Sequence, residues 1–201
     1  MIHDFIYLAS QSPRRRQLLG QLGVKHELLL PDHDEDAESL EAEIDGELPL
    51  AYVERVTLAK LHAARQRLKR RDLAVAPILC ADTTVAIGRR ILGKPADAAD
   101  AQRTLSLLAG RTHRVITAVA LAWGRRSELL VSVSRVHFAP IGDDDIARYI
   151  EGGEPFGKAG AYAIQSTAAG WISRIEGSYS GIMGLPLYET AQLLKQARVR
   201  F

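Results

Sequence analysis

Residues 113–123 and 128–138 constrain the fold more than any other part of this chain: they are two long strand candidates around the turn Gly124-Arg125-Arg126-Ser127. Such strands belong in a sheet, and a sheet must bury at least one face against another layer. The remaining segments supply that layer. A short apolar strand at 5–9 runs into Ser12-Pro13, where Ser12 suits a helix N-cap and Pro13 the first helical position. Leu18, Leu19 and Leu22 give that helix an inner face, and Gly23 ends it. A second strand falls at 27–30, and a long helix at 49–70 carries the stripe Leu50, Val53, Thr57, Leu58 and Leu61. A strand at 75–81 precedes the polar Asp82-Thr83-Thr84, and 85–87 with 91–92 form a hairpin around Gly88-Arg89-Arg90. Helices at 97–108, at 143–150 and from Pro186 to about 197, with a strand at 171–175, complete the pattern. Strict βαβ alternation is missing. The expected fold is α/β, a long mixed sheet with flanking helices, and not a doubly wound parallel sheet.

A chain of 201 residues, 47% hydrophobic and 25% charged, has enough apolar material for a real core and too much to stay disordered. No apolar run approaches the ~20 residues of a membrane helix, and residues 1–10 read as a strand, not a signal peptide. Cys80 is the single cysteine, so no intramolecular disulfide forms, which fits a reducing compartment. A net charge of +2 names no partner. The basic run from Arg65 to Arg71 is expected to be a solvated helix end favoured by the macrodipole, and too few aromatics interleave with it for a nucleic-acid platform. No linker, repeat or composition shift divides the chain, so residues 1–201 are expected to form one domain.

Three sets of residues could carry chemistry. Ser10, Ser12 and Arg14-Arg15-Arg16 cluster at a helix start, where free N–H groups, hydroxyls and guanidinium groups suit phosphate, although a capped helix with exposed arginines has the same sequence. Asp34 and Glu35 follow one strand and Asp82 follows another; such carboxylates suit Mg²⁺ or Mn²⁺, while the first two also fit a solvated acidic loop. Asp82, beside an apolar strand, needs a partner or a purpose. Lys60 interrupts an apolar helix, Lys94 sits in Gly-Lys-Pro and Lys158 in Phe-Gly-Lys-Ala-Gly, and neither glycine loop is a P-loop or a dinucleotide fingerprint.

Taken in order, these segments resemble the Maf family. The resemblance rests on Leu8-Ala9-Ser10-Gln11-Ser12-Pro13-Arg14-Arg15, Asp34-Glu35, Leu58-Ala59-Lys60, Ala81-Asp82-Thr83, Gly93-Lys94-Pro95, Lys158-Ala159-Gly160-Ala161-Tyr162-Ala163-Ile164-Gln165, Gly177-Ser178-Tyr179 and Gly184-Leu185-Pro186. It implies a fold similar to the inosine triphosphate pyrophosphatase superfamily, two lobes around a central cleft. It also implies cytoplasmic hydrolysis of a nucleoside triphosphate to monophosphate and pyrophosphate, a house-cleaning activity, with Mg²⁺ or Mn²⁺. Carried over residue by residue, Asp82 is the expected general base and, with Glu35, a metal ligand. Ser10, Arg14, Lys60, Lys94 and Lys158 are expected on the substrate, and Arg14, Thr83 and Gln165 in its selection. The Asp-Thr and Tyr-x-Ile-Gln pairs resemble the branch acting on dTTP and UTP, with modified pyrimidine nucleotides as further substrates. The alternatives are the sister branch acting on 7-methyl-GTP and a nucleotide-binding regulator of cell division without turnover.

The expected partner is the nucleotide, with no nucleic acid and no membrane, and a homodimer is compatible with the resemblance. The chain departs from the family at Gly157, where aspartate is usual, at His33, and in a longer stretch at 39–48. An ordinary aspartate is a weak base at neutral pH. A buried carboxylate is a stronger base than an exposed one, and a bound metal acidifies water, so either route would serve such a reaction.

Overall fold

A computed structural model of the chain describes residues 2–33, 35–36 and 39–201, so Asp34 lies outside the described residues. Seven strands and six α-helices are described: β1 Ile6–Leu8, α1 Pro13–Gln21, β2 His26–Leu28, α2 Pro49–Arg70, β3 Ile78–Ile87, β4 Arg90–Leu92, α3 Ala98–Leu108, β5 Thr112–Trp123, β6 Arg126–Phe138, α4 Asp143–Glu151, β7 Ile172–Glu176, α5 Tyr179–Met183 and α6 Leu187–Gln196. The strands form one mixed sheet in the order β2-β1-β3-β5-β6-β7, with β4 on the open side of β3. The two β1 pairings are parallel, because α1 and α2 carry the chain back across the sheet; every later pairing is antiparallel. The α/β expectation holds. No helix among the described residues is long and apolar enough to cross a membrane.

The long pair β5–β6 is the spine, in register from Thr112↔His137 to Trp123↔Arg126, so the turn shrinks to Gly124-Arg125. Side chains alternate across it. One face, with Ile116, Ala118, Ala120 and Ala122, packs under α2. The opposite face packs Val119 and Leu121 with residues of α1 and α6, and Val115 with residues of α3 and α4.

Two sequence expectations shift here. On α2 the buried positions are Tyr52, Val53, Val56, Thr57, Leu61, Ala64 and Arg67, whereas Leu50 and Leu58 face solvent. At about 100° per residue Leu58 lies well away from the stripe that meets the sheet, while Leu50 stands on its flank in the first turn of the helix, where it is still exposed. On β3 the polar Asp82-Thr83-Thr84 does not follow the strand but lies inside it, paired in register with Ala118, Thr117 and Ile116 of β5. The β5 ladder satisfies the backbone there, so the strand need not stop at its polar side chains.

Candidate active site

The cleft exists because the sheet is incomplete along one edge of β3. β1 accompanies β3 only as far as Leu79, where Ala9 N–H donates to Leu79 O at 2.9 Å, and β4 joins only at Val85. Between them, residues 81–84 pair with β5 alone. A cavity of about 800 Å³ opens at this gap and wraps around the strand, reaching side chains from both faces.

On the α2 face, Asp82 is buried and accepts a hydrogen bond from Lys60 Nζ at 2.6 Å. The same ammonium donates to Glu41 Oε1 at 2.7 Å, and Lys94 Nζ donates to Glu41 Oε2 at 2.7 Å. The result is an alternating chain of charge: Asp82, Lys60, Glu41, Lys94. Asp82 Oδ2 takes no hydrogen bond from the described residues, which leaves it for a water or a cation. Glu41 ends a short 3₁₀ turn, Ser39–Glu41, fixed when Tyr52 OH donates to Glu41 O and Arg55 donates to Ala42 O, both at 2.9 Å. Burial pushes the Glu41 carboxyl upward, but the bonds from Lys60 and Lys94 outweigh it and hold the group below its ordinary value. Tyr52, pushed up by burial and by the charges of Asp82 and Glu41, stays a phenol.

On the opposite face the donors are Arg15 and a row of hydroxyls. Arg15 donates to Gly184 O at 2.7 Å, to Thr83 Oγ1 at 3.3 Å and to Ser10 Oγ at 3.4 Å. Thr83 Oγ1 in turn meets Thr117 Oγ1 at 2.9 Å. α1 begins as expected, with Ser12 capping Arg15 N–H. Burial lowers the Arg15 guanidinium from its ordinary value, with the Asp82 charge acting the other way. Beyond this polar row the cavity is apolar, lined by Val85, Val115, Tyr162, Ile164, Ile182 and Met183.

The glycine segment at 157–160 forms the facing wall. Gly160 N–H donates to Gly93 O at 3.0 Å, tying it to the Lys94 loop. A Cβ on Gly160 would meet Val85 at 2.8 Å, and its φ is +69°, so only glycine fits. Gly157, the departure from the family pattern, has φ +71°, a left-handed conformation that glycine adopts without strain.

The structure therefore brings Ser10, Lys60, Asp82, Thr83 and Lys94 around one cavity. It does not bring all the expected residues there. Arg14 and Lys158 lie off the lining; Lys158 donates to Glu154 O, and burial followed by the Arg14 charge lowers its ammonium. Gln165 is exposed and also off the lining. On a helix, adjacent residues point ~100° apart, so Arg15 and not Arg14 faces the cleft. Glu35 lies at the cavity margin, but its oxygens accept from Arg67 Nε at 2.9 and 3.2 Å and from Arg67 and Arg70 guanidinium nitrogens. The acid that shares Lys60 with Asp82 is Glu41, which no motif of the sequence marks. It lies in an acidic stretch where no residue stands out by spacing. The basic end of α2 is likewise no plain solvated face, because Arg67 is 3% exposed and also donates to Leu29 O.

Two lysines, an arginine and hydroxyls around a buried aspartate, opening onto an apolar wall, define a site for an anionic small molecule with an apolar part. The chain belongs to the Maf family, whose profile, described as "Maf-like protein", matches residues 5–197. It is 64% identical to the dTTP/UTP pyrophosphatase of Albidiferax ferrireducens, over 96% of both chains. It is 61% identical to that of Polaromonas sp., over 98% of both, and 58% identical to that of Cupriavidus pinatubonensis, over 100% of both. Among solved structures, the Staphylococcus aureus Ham1 protein overlaps 68% of this chain and 72% of its own at 11% identity with a TM-score of 0.40, a likeness too slight to bear on function.

Proposed function

We propose that this chain hydrolyses dTTP and UTP to the nucleoside monophosphate and pyrophosphate. The observation that carries the reading is the charge chain Asp82–Lys60–Glu41–Lys94 at the gap in the sheet, facing Arg15 and Thr83 across the strand. It agrees with what the full-length relatives are named for.

Hydrolysis at the α phosphorus needs water delivered to an electron-rich centre and a polyanionic leaving group stabilised. Asp82 orients the water and takes its proton, with Lys60 fixing the carboxylate from the other oxygen. Lys60 and Lys94 offset charge on the phosphates and on departing pyrophosphate, exchanging Glu41 for phosphate oxygens. The apolar wall from Val115 to Met183 receives the nucleoside and keeps bulk water from the reacting atoms.

The donor set fits a hard divalent cation. Among the described residues no three His, Cys, Asp or Glu side chains gather at one point, but Asp82 and Glu41 face a shared ammonium, and Mg²⁺ commonly takes one or two carboxylates plus substrate phosphates. Asp82 and Glu41 would hold Mg²⁺ or Mn²⁺, which supplies charge neutralisation and a more acidic water when bound. We place the activity in the cytoplasm as a house-cleaning step that also removes modified pyrimidine nucleotides, with the nucleotide as partner and neither nucleic acid nor membrane involved. Pyrophosphate release across normal and modified triphosphates, with and without chelator, tests the reading. Release from dTTP and UTP that stops on chelation is expected; a chain that binds them without turnover would overturn it.

A further inference from the structure

The hydroxyl pair behind the cleft has a fixed polarity. Thr83 of β3 and Thr117 of β5 are register partners, and their Oγ1 atoms stand 2.9 Å apart. Taken alone, such a pair has no direction, but its surroundings give it one. Thr117 is 1% exposed, and its Oγ1 lies 2.7 Å from the carbonyl oxygen of Gly181. A carbonyl oxygen only accepts, so the Thr117 hydrogen is committed there. Thr83 must then donate to Thr117, which commits its hydrogen too. Arg15 donates to Thr83 Oγ1 at 3.3 Å and occupies one of its two lone pairs. The bonds run one way, from Arg15 through Thr83 and Thr117 to Gly181 O. Thr83 is left with one lone pair and no hydrogen to give.

That lone pair belongs to a side chain lining the cavity, whereas Thr117 lies behind it, off the lining. Gly184 leaves the space beside it open: a Cβ there would stand 3.6 Å from Thr83 Oγ1. Two residues along on the same face, Val85 pairs with Val115, and the apolar wall begins. An oxygen that only accepts is a poor neighbour for phosphate oxygens, which also accept. It suits a donor on the apolar part of the ligand. Uracil and thymine carry one, the imide N–H between their two carbonyls, while cytosine presents a bare ring nitrogen at that position.

We propose that Thr117 is a positioning residue that holds Thr83 as a pure acceptor, so that the cleft selects bases bearing an imide N–H. The inference rests on the nucleotide reading above and narrows the modified pyrimidines to those that keep this N–H. Calorimetry tests it with the uncut α,β-methylene analogues of UTP, CTP and 3-methyl-UTP in the presence of Mg²⁺. Wild type should bind the UTP analogue about tenfold or more tightly than the other two, the effect of one buried hydrogen bond left unmade. Thr117→Val keeps the shape but frees the Thr83 hydrogen to turn toward the cavity, so the preference over the CTP analogue should fall about tenfold. Gly181 O still accepts from Gly184 N–H at 3.0 Å, so the valine strands no acceptor there. Thr117→Ser rebuilds the relay and should restore the preference. A merely structural role would weaken all three analogues alike. Equal wild-type affinities, no binding of the UTP analogue, or a preference untouched by Thr117→Val would overturn the proposal, and the wild-type arm decides it even where the valine variant misfolds. Pyrophosphate release from UTP is read separately: its absence beside an intact preference would overturn the hydrolysis and support the selection of base.

Discussion

Helix α2 carries two charge clusters on the same face, two turns apart, and both reach the acidic segment that follows β2. At Arg67 a guanidinium fork meets both oxygens of Glu35 and adds Leu29 O, while Arg70 and Arg71 take Asp32. At Lys60 a single ammonium lies between Glu41 and Asp82, and no described residue donates to the second oxygen of Asp82. The first cluster is heavily paired: both oxygens of Glu35 and both oxygens of Asp32 accept from guanidinium groups. The second is underfilled, with point charges that can trade one anion for another. A heavily paired cluster fastens; an underfilled one can bind and react.

The sharpest way to break this contrast is to remove the base. Asp82→Asn should lower turnover ~10²–10⁴-fold, the usual contribution of a positioned base, while nucleotide binding, read by calorimetry, survives. Near-normal turnover would move the proton elsewhere. Exchanging the roles of the two glutamates comes next. Glu41→Gln should lower kcat/KM ~10-fold or more, as expected when one of the two carboxylates that would hold the divalent cation is lost, with little change in melting temperature. Glu35→Gln should do the reverse, costing about 2 kcal/mol because it strands a buried Arg67, less than a fully buried pair since Glu35 keeps some solvent, at unchanged kcat/KM. A Glu35 variant that loses activity while keeping its stability would contradict the assignment.

The contrast was only partly legible in the sequence. The span of α2 was, because Pro49 opens it and a basic end closes it. Asp82 was too, as a carboxylate among apolar neighbours. Glu41 was not: one acid among many, it is singled out only by Tyr52 and Arg55, which pin its turn to α2 from positions the acidic segment does not reveal. Arg15 and Arg14 are equivalent as residue types, and only the carbonyl of Gly184, remote in sequence, chooses between them. The gap in the sheet was invisible because it depends on where β1 stops and β4 starts, which pairing decides and composition does not.

Stability against pH should show a smaller effect. Hydrogen bonds from Arg67 hold Glu35 below its ordinary value, with burial opposing. A group depressed in the folded state contributes stability that is present above its unfolded value, about 4.3, and lost as pH falls through the folded one. Melting temperature should therefore be level above about pH 5 and decline below it, more steeply than in Glu35→Gln. Parallel curves for the two proteins would contradict this pairing. The smallest effect belongs to Gln165, which lies exposed outside the cavity. Gln165→Ala should change the ratio of UTP to CTP turnover less than about threefold, since a lost contact to solvent costs under ~0.5 kcal/mol. A larger change would mean that the nucleotide draws this segment inward.

The central claim is that the cleft cuts between the α and β phosphates with Asp82 handling the water. Turnover of UTP in ¹⁸O-labelled water measures this directly. The account predicts UMP and pyrophosphate in equal amounts, the label in UMP alone, and both products nearly absent with Asp82→Asn. UDP with inorganic phosphate, or label in the pyrophosphate, would contradict it.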